Sequence, residues 1–517
     1  MSTQTHASVA VGVGPLSFDD VVTVARHGAG VELTAEARAA IESARAVVER
    51  LAGEETPAYG ISTGFGALAT RHIPNDARAQ LQRSLVRSHA AGSGPEVERE
   101  VVRGLMLLRL STLATGHTGI RLETAELLAA LLTHGITPVV HEYGSLGCSG
   151  DLAPLAHCAL ALMGEGQVRD ARGELRPAAD ALAEAGLAPV ELAAKEGLAL
   201  INGTDGMLGM LVLALTDLGV LLRTADVAAA MSVEAQLGTD RVFAAELQAI
   251  RPHPGQADSA ANLVAILRDS GVVASHRGPD CNRVQDAYSL RCSPQVHGAA
   301  RDTLAHAAVV AGRELASAID NPVVVGDRVE SNGNFHGAPV AYVLDFAAIV
   351  AADVASISER RTDRFLDKAR SHGLPPFLAD DPGVDSGHMI AQYTQAAIVS
   401  EMKRLAAPAS VDSIPSSAMQ EDHVSMGWSA ARKLRRSVDG LARVLAVEVL
   451  TAARALDLRR PLEPSPATEA VVRLLRSSGV EGPGPDRHLS PEIEATVELV
   501  RSGAVVAAVE EVIGELK

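Results

Sequence analysis

The chain has 517 residues, and its 47% hydrophobic and 21% charged content is typical of a folded protein, not of a disordered one. Its formal net charge of −17 argues against nucleic acid or an anionic membrane as partners, because those surfaces attract clustered lysine and arginine. One hydrophobic core saturates well below this length, so we predict roughly two or three domains.

The cysteines and the first residues indicate a compartment. The sequence has four cysteines and no Cys-x-x-Cys pair, which is no disulfide framework in so long a chain. Residues 1–13 lack a basic stretch followed by an apolar core, so we expect no signal peptide. We therefore predict a cytoplasmic protein.

Residues 1–206 contain frequent glycine and proline and only short apolar runs, as in Gly135–Pro154. This composition predicts loops with special backbone geometry between modest helices. We expect residues 1–206 to form a loop-rich, mostly helical N-terminal domain.

Residues 207–517 contain long stretches that lack proline, have little glycine and are rich in alanine and leucine. Apolar residues recur there at three- and four-residue spacing, which predicts a central bundle of long antiparallel helices with a C-terminal helical region. The clearest stretches are His297–Asn321, Val340–Asp367, Met389–Ala407 and Val424–Leu456. Because no alternating pattern is long enough for a major sheet, the predicted fold class is mainly α.

Smaller features complete the predicted elements. The apolar stretch Met207–Leu222 contains Asp217 and is too short for a membrane span, so we expect a buried helix. Pro322 is expected to end the helix before it, since proline blocks continuation. Arg459–Asp486 is rich in proline, glycine and charge and predicts a surface connection, whereas Leu489–Lys517 predicts a helix.

Familiar motifs are only partly matched. Gly64-Phe65-Gly66 mimics a dinucleotide fingerprint, but no βαβ pattern surrounds it. Gly147–Gly150 resembles a nucleophile elbow, except that Asp151 stands where the last glycine should be. The 17 histidines show no metal-ligand spacing, so no metal is predicted.

The most informative segment is Gly144–His157, where glycines and small residues crowd around Ser149. Such a backbone can bend sharply and approach itself closely. One interpretation is a tight turn that caps a helix, with Asp151 as the N-cap residue.

The same segment closely resembles the signature of the histidine, phenylalanine and tyrosine ammonia-lyase family. In that family an Ala-Ser-Gly tripeptide cyclises and dehydrates to methylidene-imidazolone (MIO), an electrophilic prosthetic group. The resemblance implies that Cys148, Ser149 and Gly150 form MIO here, and that Ser149 supplies the methylidene carbon. Alanine is usual at the Cys148 position, but that side chain stays outside the ring, so cysteine should be compatible with cyclisation.

Two N-terminal segments match the family as well. Tyr59–Gly66 resembles the loop whose tyrosine removes the β-proton, which implies that role for Tyr59. Ser88-His89 matches the substrate-sorting segment of histidine-specific members, which implies that His89 binds the substrate imidazole. Taken alone, a histidine near a helix would be interpreted as an ordinary structural residue.

Two further segments supply polar groups. Lys195–Thr204 resembles the asparagine segment, which implies that Asn202 binds near the substrate amine, although Asp205 stands where glutamine is frequent. Val284–Cys292 resembles an active-site loop in which Gln285 is a hydrogen-bonding neighbour and Tyr288 an essential tyrosine. Arg291 of that loop suits the substrate carboxylate, because its guanidinium makes bidentate contacts.

The last two matching segments lie in residues 332–337 and 420–426. Asn332–Gly337 implies that Phe335 lines the pocket, with plain core packing as the alternative. Gln420–Met426 implies that Glu421 faces the imidazole, as in histidine-specific members. Met419 departs from the asparagine that is common at its position.

Together the resemblance implies a carbon–nitrogen lyase that converts L-histidine to trans-urocanate and ammonia. It also implies a homotetramer whose active sites are shared between subunits. The alternatives are a phenylalanine or tyrosine ammonia-lyase, an aminomutase, or a catalytically inactive helical scaffold. Ser88-His89 and Glu421 argue against an apolar ring as the substrate, because a buried carboxylate facing a phenyl ring would be unpaired.

Overall fold

Helices dominate the fold, which confirms the predicted mainly α class. The computed structural model describes residues 8–54, 60, 61, 63, 64, 66, 70, 71, 73–278, 281 and 284–517. The helices up to residue 201 are α1 (Phe18–Ala25), α2 (Ala35–Ala52), α3 (Arg78–His89), α4 (Arg99–Ala114), α5 (Leu122–Thr133), α6 (Leu152–Leu162), α7 (Ala178–Glu184) and α8 (Glu196–Ile201).

The later helices include several that are much longer. They are α9 (Asp205–Ala235), α10 (Ala245–Ala249), α11 (Pro254–Ile266), α12 (Gly271–Ala274), α13 (Tyr288–Arg291), α14 (Ser293–Leu315), α15 (Ala338–Leu366), α16 (Met389–Leu405), α17 (Gly427–Leu458), α18 (Pro466–Ser477), α19 (Ser490–Arg501) and α20 (Ala504–Ile513). The four long stretches predicted from alanine and leucine correspond to α14 to α17.

The strands are short and form four small sheets within the described ranges. They are β1 (Val9–Val11), β2 (Val31–Leu33), β3 (Ser93–Glu96), β4 (Thr137–Pro138), β5 (His141–Tyr143), β6 (Gln167–Arg169), β7 (Leu175–Pro177), β8 (Val323–Val325) and β9 (Arg328–Glu330). β1 pairs with β2 in parallel, with Val9 opposite Val31. The sheets β3-β5, β4-β6-β7 and β8-β9 are antiparallel.

Three predicted boundaries are corrected by the structure. α14 ends at Leu315, before the proline that was expected to stop it. The predicted surface connection contains α18, because Ser465 accepts a hydrogen bond from Thr468 N and Pro466 occupies the first turn, both of which start helices. The predicted C-terminal helix is split at Gly503, whose φ of 76° is left-handed.

α9 and α15 are long and apolar enough to cross a membrane by length and composition alone. In the most apolar windows of these helices, 72% and 61% of the residues are buried inside the protein, as in core helices of folded domains. The buried helix predicted at Met207–Leu222 is confirmed within α9, since Leu211 and Leu222 are 0% and 3% exposed.

The chain divides into two compact units. The first consists of Met1–Leu213, Ala308–Asp345 and Pro408–Arg432, and the second of Ala214–Ala307, Phe346–Ala407 and Lys433–Lys517. Each unit is therefore discontinuous in sequence. The division into domains 1–206 and 207–517 stays a prediction.

Each unit has its own buried centre. In the first, Ala44, Val48 and Val324 pack around Ile61, which lies two residues after Tyr59. In the second, Glu448 on α17 accepts hydrogen bonds from Ser232 Oγ at 2.7 Å and Ser358 Oγ at 2.6 Å. This carboxylate thereby joins α17 to α9 and α15, and buried polar groups satisfied in this way fix how helices pack.

Candidate active site

The loop around Ser149 is sharply bent and closely packed in the first unit. Gly147 and Gly150 have φ angles of 67° and 72°, in the left-handed region that favours glycine. A Cβ atom on Gly150 would lie 2.1 Å from Gly203 O, and Asp151 N donates to that same oxygen at 2.7 Å. Glycine is therefore required at position 150 by both conformation and space.

Two distant segments hold this loop from the other side. Gly147 O accepts hydrogen bonds from Ser425 Oγ at 2.6 Å and from Gly337 N at 3.0 Å. Met426 N donates to Leu146 O at 2.9 Å. The structure thus brings the segments that carry Phe335 and Glu421 to the loop that carries Ser149.

Asp151 does not act as the N-cap of the helix that follows it, which was one interpretation of the sequence. It precedes α6, but its side chain makes no capping bond to that helix. Its Oδ2 instead accepts from Gly206 N and Met207 N, both at 2.9 Å, and so caps α9, while Oδ1 accepts from Ser145 Oγ at 2.8 Å. Complete burial, reinforced by the nearby carboxylate of Asp205, raises the pKa of Asp151 to about 7.

Glu421 contacts the tripeptide directly. Cys148 Sγ donates to Glu421 Oε2 at 3.0 Å, and Ser149 Oγ donates to Glu421 Oε1 at 3.3 Å. Ser416 Oγ also donates to Oε2, at 3.3 Å. Burial and the adjacent Glu421 carboxylate raise the pKa of the Cys148 thiol to about 12, so the thiol stays protonated and donates.

His89 is the last residue of α3, and its ring nitrogen Nδ1 has two polar neighbours. His89 Nδ1 lies 2.9 Å from Leu85 O and 3.1 Å from Ser88 Oγ. A protonated Nδ1 donates to the Leu85 carbonyl, whereas an unprotonated Nδ1 accepts from the Ser88 hydroxyl. The side chain is half-buried, so the ring can form a hydrogen bond with a bound molecule.

Asn202 follows α8 and is held by its backbone and its amide nitrogen. Its carbonyl oxygen accepts from Arg109 Nη1 at 2.8 Å, and its Nδ2 donates to Asn321 O at 3.3 Å. Asn202 Oδ1 is buried and has no hydrogen-bond partner among the described residues. Because an unsatisfied buried acceptor is costly, this atom is suited to a donor from a ligand.

Buried ion pairs beneath Asn202 were missed by the sequence analysis. Lys195 Nζ donates to Asp320 Oδ2 at 2.6 Å, and both side chains are almost fully buried. Arg109 Nε lies 3.5 Å from Asp205 Oδ2, so Asp205 has a structural partner at the position where it departs from the family. The available signal was Arg109 itself, a charge inside the apolar run of α4.

Gln285, Tyr288 and Arg291 lie in the second unit, which is described by itself. Tyr288 is 72% exposed, and Arg291 Cζ lies 4.8 Å from the centroid of its ring. Arg291 Nε is buried and has no hydrogen-bond partner in the described part of the chain. The guanidinium is thus oriented by the ring while keeping donors for an anion.

The remaining candidates differ in how far the structure describes them. Phe335 is half-buried on the segment anchored by Gly337. Tyr59 lies outside the described residues. Met419 has a φ of 68°, in the left-handed region. Asparagine tolerates this conformation better than methionine, so the methionine at this position adds backbone strain.

The mainly helical fold is that of the helical ammonia-lyase and aminomutase class. A tyrosine aminomutase from Streptomyces globisporus has a TM-score of 0.93 and 39% identity, covering 99% of this chain and 100% of that chain. A histidine ammonia-lyase from Trypanosoma cruzi has a TM-score of 0.89 and 39% identity, covering 98% and 95%.

Sequence similarity is more specific. The chain is 68% identical over 512 residues to a histidine ammonia-lyase from Streptomyces griseus, covering 98% of this chain and 99% of that protein. The model of the aromatic amino acid lyase family matches residues 16–477. The chain belongs to the aromatic amino acid lyase family and is therefore an enzyme that cleaves a carbon–nitrogen bond.

Proposed function

We propose that this enzyme is a histidine ammonia-lyase that converts L-histidine to trans-urocanate and ammonia. The observation that carries the proposal is the contact of Glu421 with Ser149 at 3.3 Å. A carboxylate at this position can accept an N–H from an imidazole, whereas a phenyl ring would leave it unpaired. The similarity to the Streptomyces griseus histidine ammonia-lyase supports the same substrate.

The residues of the tripeptide loop fit the MIO group that the family resemblance implies. A ring that closes from Gly150 N onto the Cys148 carbonyl needs a residue without Cβ at position 150, and the contact with Gly203 excludes any Cβ there. The anchored carbonyl of Gly147 keeps the bend in place. When formed, the group supplies an electrophilic carbon, which no ordinary side chain offers.

Substrate recognition is assigned to polar groups with free bonding capacity. Arg291 binds the carboxylate through the donors that the protein leaves available. His89 and Glu421 orient the imidazole, and Asn202 Oδ1 accepts from the amine. Gln285 is a neighbouring hydrogen-bonding group, and Phe335 lines the pocket.

Proton transfer is assigned to the tyrosines of the family pattern. Tyr59 removes the β-proton, and Tyr288 assists it. Gly60, which follows Tyr59, has a φ of 74°, and a Cβ there would lie 3.1 Å from Leu198 and Pro322 side-chain atoms. Close packing therefore restricts position 60 to glycine.

We also propose the shared homotetramer and a cytoplasmic setting. On α15, Tyr342, Phe346 and Ile349 are spaced by four and three residues and are 51%, 44% and 42% exposed. Such a stripe of exposed apolar side chains on one helix face is suited to burial against another copy of the chain. All four cysteines are free thiols, which suits a reducing compartment.

The function is tested by offering L-histidine, L-phenylalanine and L-tyrosine separately to the purified enzyme. Ultraviolet absorbance reports the conjugated product, and an ammonia assay reports elimination. We expect release of ammonia and urocanate from L-histidine only. For Glu421→Gln we expect a fall in kcat/KM for L-histidine of about a hundredfold, since a neutral amide is a weaker acceptor.

The controls separate the alternatives. Asp422→Asn changes the exposed neighbouring carboxylate and should retain activity. Product formed from L-phenylalanine or L-tyrosine but not from L-histidine would show that histidine is not the substrate. Formation of a β-amino acid without release of ammonia would indicate an aminomutase. A folded enzyme that is inactive with all three amino acids would favour the inactive scaffold.

A further inference from the structure

The two oxygens of the Glu421 carboxylate have different donors. Oε1 accepts only from Ser149 Oγ among the described residues, whereas Oε2 accepts from Cys148 Sγ at 3.0 Å and Ser416 Oγ at 3.3 Å. Cys148 is 5% exposed, so solvent competes little for its thiol. The side chains of Cys148 and Ser416 therefore hold the carboxylate through Oε2, whereas the reacting Ser149 contacts Oε1.

Conversion of the tripeptide changes these donors unequally. This step rests on the proposed function, in which Ser149 loses its hydroxyl as water. Oε1 then loses its donor and can accept from a substrate imidazole. The Cys148 side chain lies outside the ring, so its hydrogen bond to Oε2 can persist.

We propose that Cys148 is a positioning residue for substrate recognition, whose thiol holds Glu421 Oε2 so that Oε1 faces the imidazole. Within the described part of the chain, an alanine at this position would leave Ser416 as the remaining side-chain donor to Oε2. The protonated state needed for this role holds across ordinary conditions, because the pKa of the thiol is about 12. The Cys148 thiol thus acts through Glu421 and takes no part in breaking the bonds of the substrate.

The test compares Cys148→Ala with wild type and with Cys148→Ser. We expect the KM for L-histidine to rise about three- to tenfold in Cys148→Ala, because a hydrogen bond to a charged group is lost. The kcat should stay within about twofold, because the reacting groups are unchanged. Cys148→Ser keeps a donor and should recover most of the wild-type KM.

A second measurement removes the dependence on turnover. Ser149→Ala cannot form the electrophile and leaves Oε1 without its donor, so calorimetry can measure histidine binding alone. Adding Cys148→Ala to this variant should weaken the binding of L-histidine by the same three- to tenfold factor. The mass of the peptide that contains residues 148–150 reports separately whether Cys148→Ala still forms the ring.

Cys158→Ala is the matched control, because Cys158 is also 5% exposed but its thiol is not among the donors to Glu421. It should leave the KM unchanged. Unchanged histidine binding in the Cys148→Ala, Ser149→Ala double variant would overturn the inference, whatever happens to ring formation. If wild type produced no urocanate from L-histidine, the proposed function itself would fail, which is a different result.

Discussion

The Ser149 loop and the segment around Tyr288 differ in how completely the chain surrounds them. In the loop, Cys148 and Asp151 are 5% and 0% exposed, and backbone atoms from distant segments hold the bend. In the other segment, Val284 is 92% and Tyr288 72% exposed. One region is pre-organised within its unit, whereas the other presents its side chains at a surface.

This difference suits the two tasks assigned to these regions. The proposed cyclisation of the backbone needs a conformation in which Gly150 N is held near the Cys148 carbonyl. Exposed side chains such as Tyr288 can instead be covered by another subunit, as the proposed tetramer requires. Substitution of Ser149 in the loop should therefore abolish the chemistry, whereas substitution of Arg291 in the exposed segment should mainly weaken substrate binding.

The largest expected effect comes from Ser149→Ala. Without the hydroxyl that leaves as water, the ring cannot form, and we expect lyase activity to be abolished together with the near-ultraviolet absorbance of the conjugated ring. The unfolding midpoint should change by only about 2 °C, because a single 3.3 Å hydrogen bond is removed. Ser93→Ala, at an exposed position, should leave activity intact.

Arg291→Lys tests the exposed segment. Lysine keeps the charge but loses the bidentate geometry, so we expect kcat/KM for L-histidine to fall about tenfold to a hundredfold, mainly through KM. The unfolding midpoint should not change. Arg328→Lys, on an arginine whose side chain is 68% exposed, is the control. A large loss of stability in Arg291→Lys would break the comparison between the two regions.

Lys195→Met tests how strongly the first unit depends on its buried charges. The substitution leaves the buried Asp320 carboxylate without the ammonium that lies 2.6 Å away. We expect a loss of about 3–5 kcal/mol in the free energy of unfolding, measured by denaturant titration. Lys368→Met, at an exposed lysine, should cost less than about 0.5 kcal/mol. Equal stabilities would contradict the proposed role of the pair.

The smallest effect is a change in the pH dependence of stability. Burial raises the pKa of Asp151 from 3.8 to about 7, so the folded protein binds more protons than the unfolded chain between these values. Stability should therefore fall as the pH rises from about 4 to about 7. Asp151→Asn cannot ionise but retains an oxygen acceptor for Gly206 N and Met207 N. Its unfolding midpoint should fall less with pH; parallel curves for the two proteins would rule out this titration.

The long helices and the family could be predicted from the sequence because both signals are local. Ala- and Leu-rich stretches predicted α14 to α17, and the Gly144–His157 motif pointed to Ser149. Helix α18 was not predicted, because its start signal at Ser465 and Pro466 lies inside a loop-like composition.

Other features depend on long-range contacts that no local pattern contains. Cys148 and Glu421 are 273 positions apart in the chain, so the hydrogen bond between them could not be predicted from either motif alone. Similarly, Asp151 caps α9 through residues 55 and 56 positions away instead of the helix that follows it. The roles of His89, Asn202, Arg291 and the other site residues stay predictions until variants are measured.

The most direct test of the central claim is the mass of the tryptic peptide that spans residues 122–169 of the active wild-type enzyme, measured beside the same peptide from Ser149→Ala. Ring closure and dehydration predict that the wild-type peptide is lighter than its sequence mass by two water molecules, because the Cys148 carbonyl oxygen and the Ser149 hydroxyl both leave. The Ser149→Ala peptide should have its full sequence mass, because the ring cannot form without the hydroxyl. A wild-type peptide of full sequence mass, from enzyme that eliminates ammonia from L-histidine, would contradict the account.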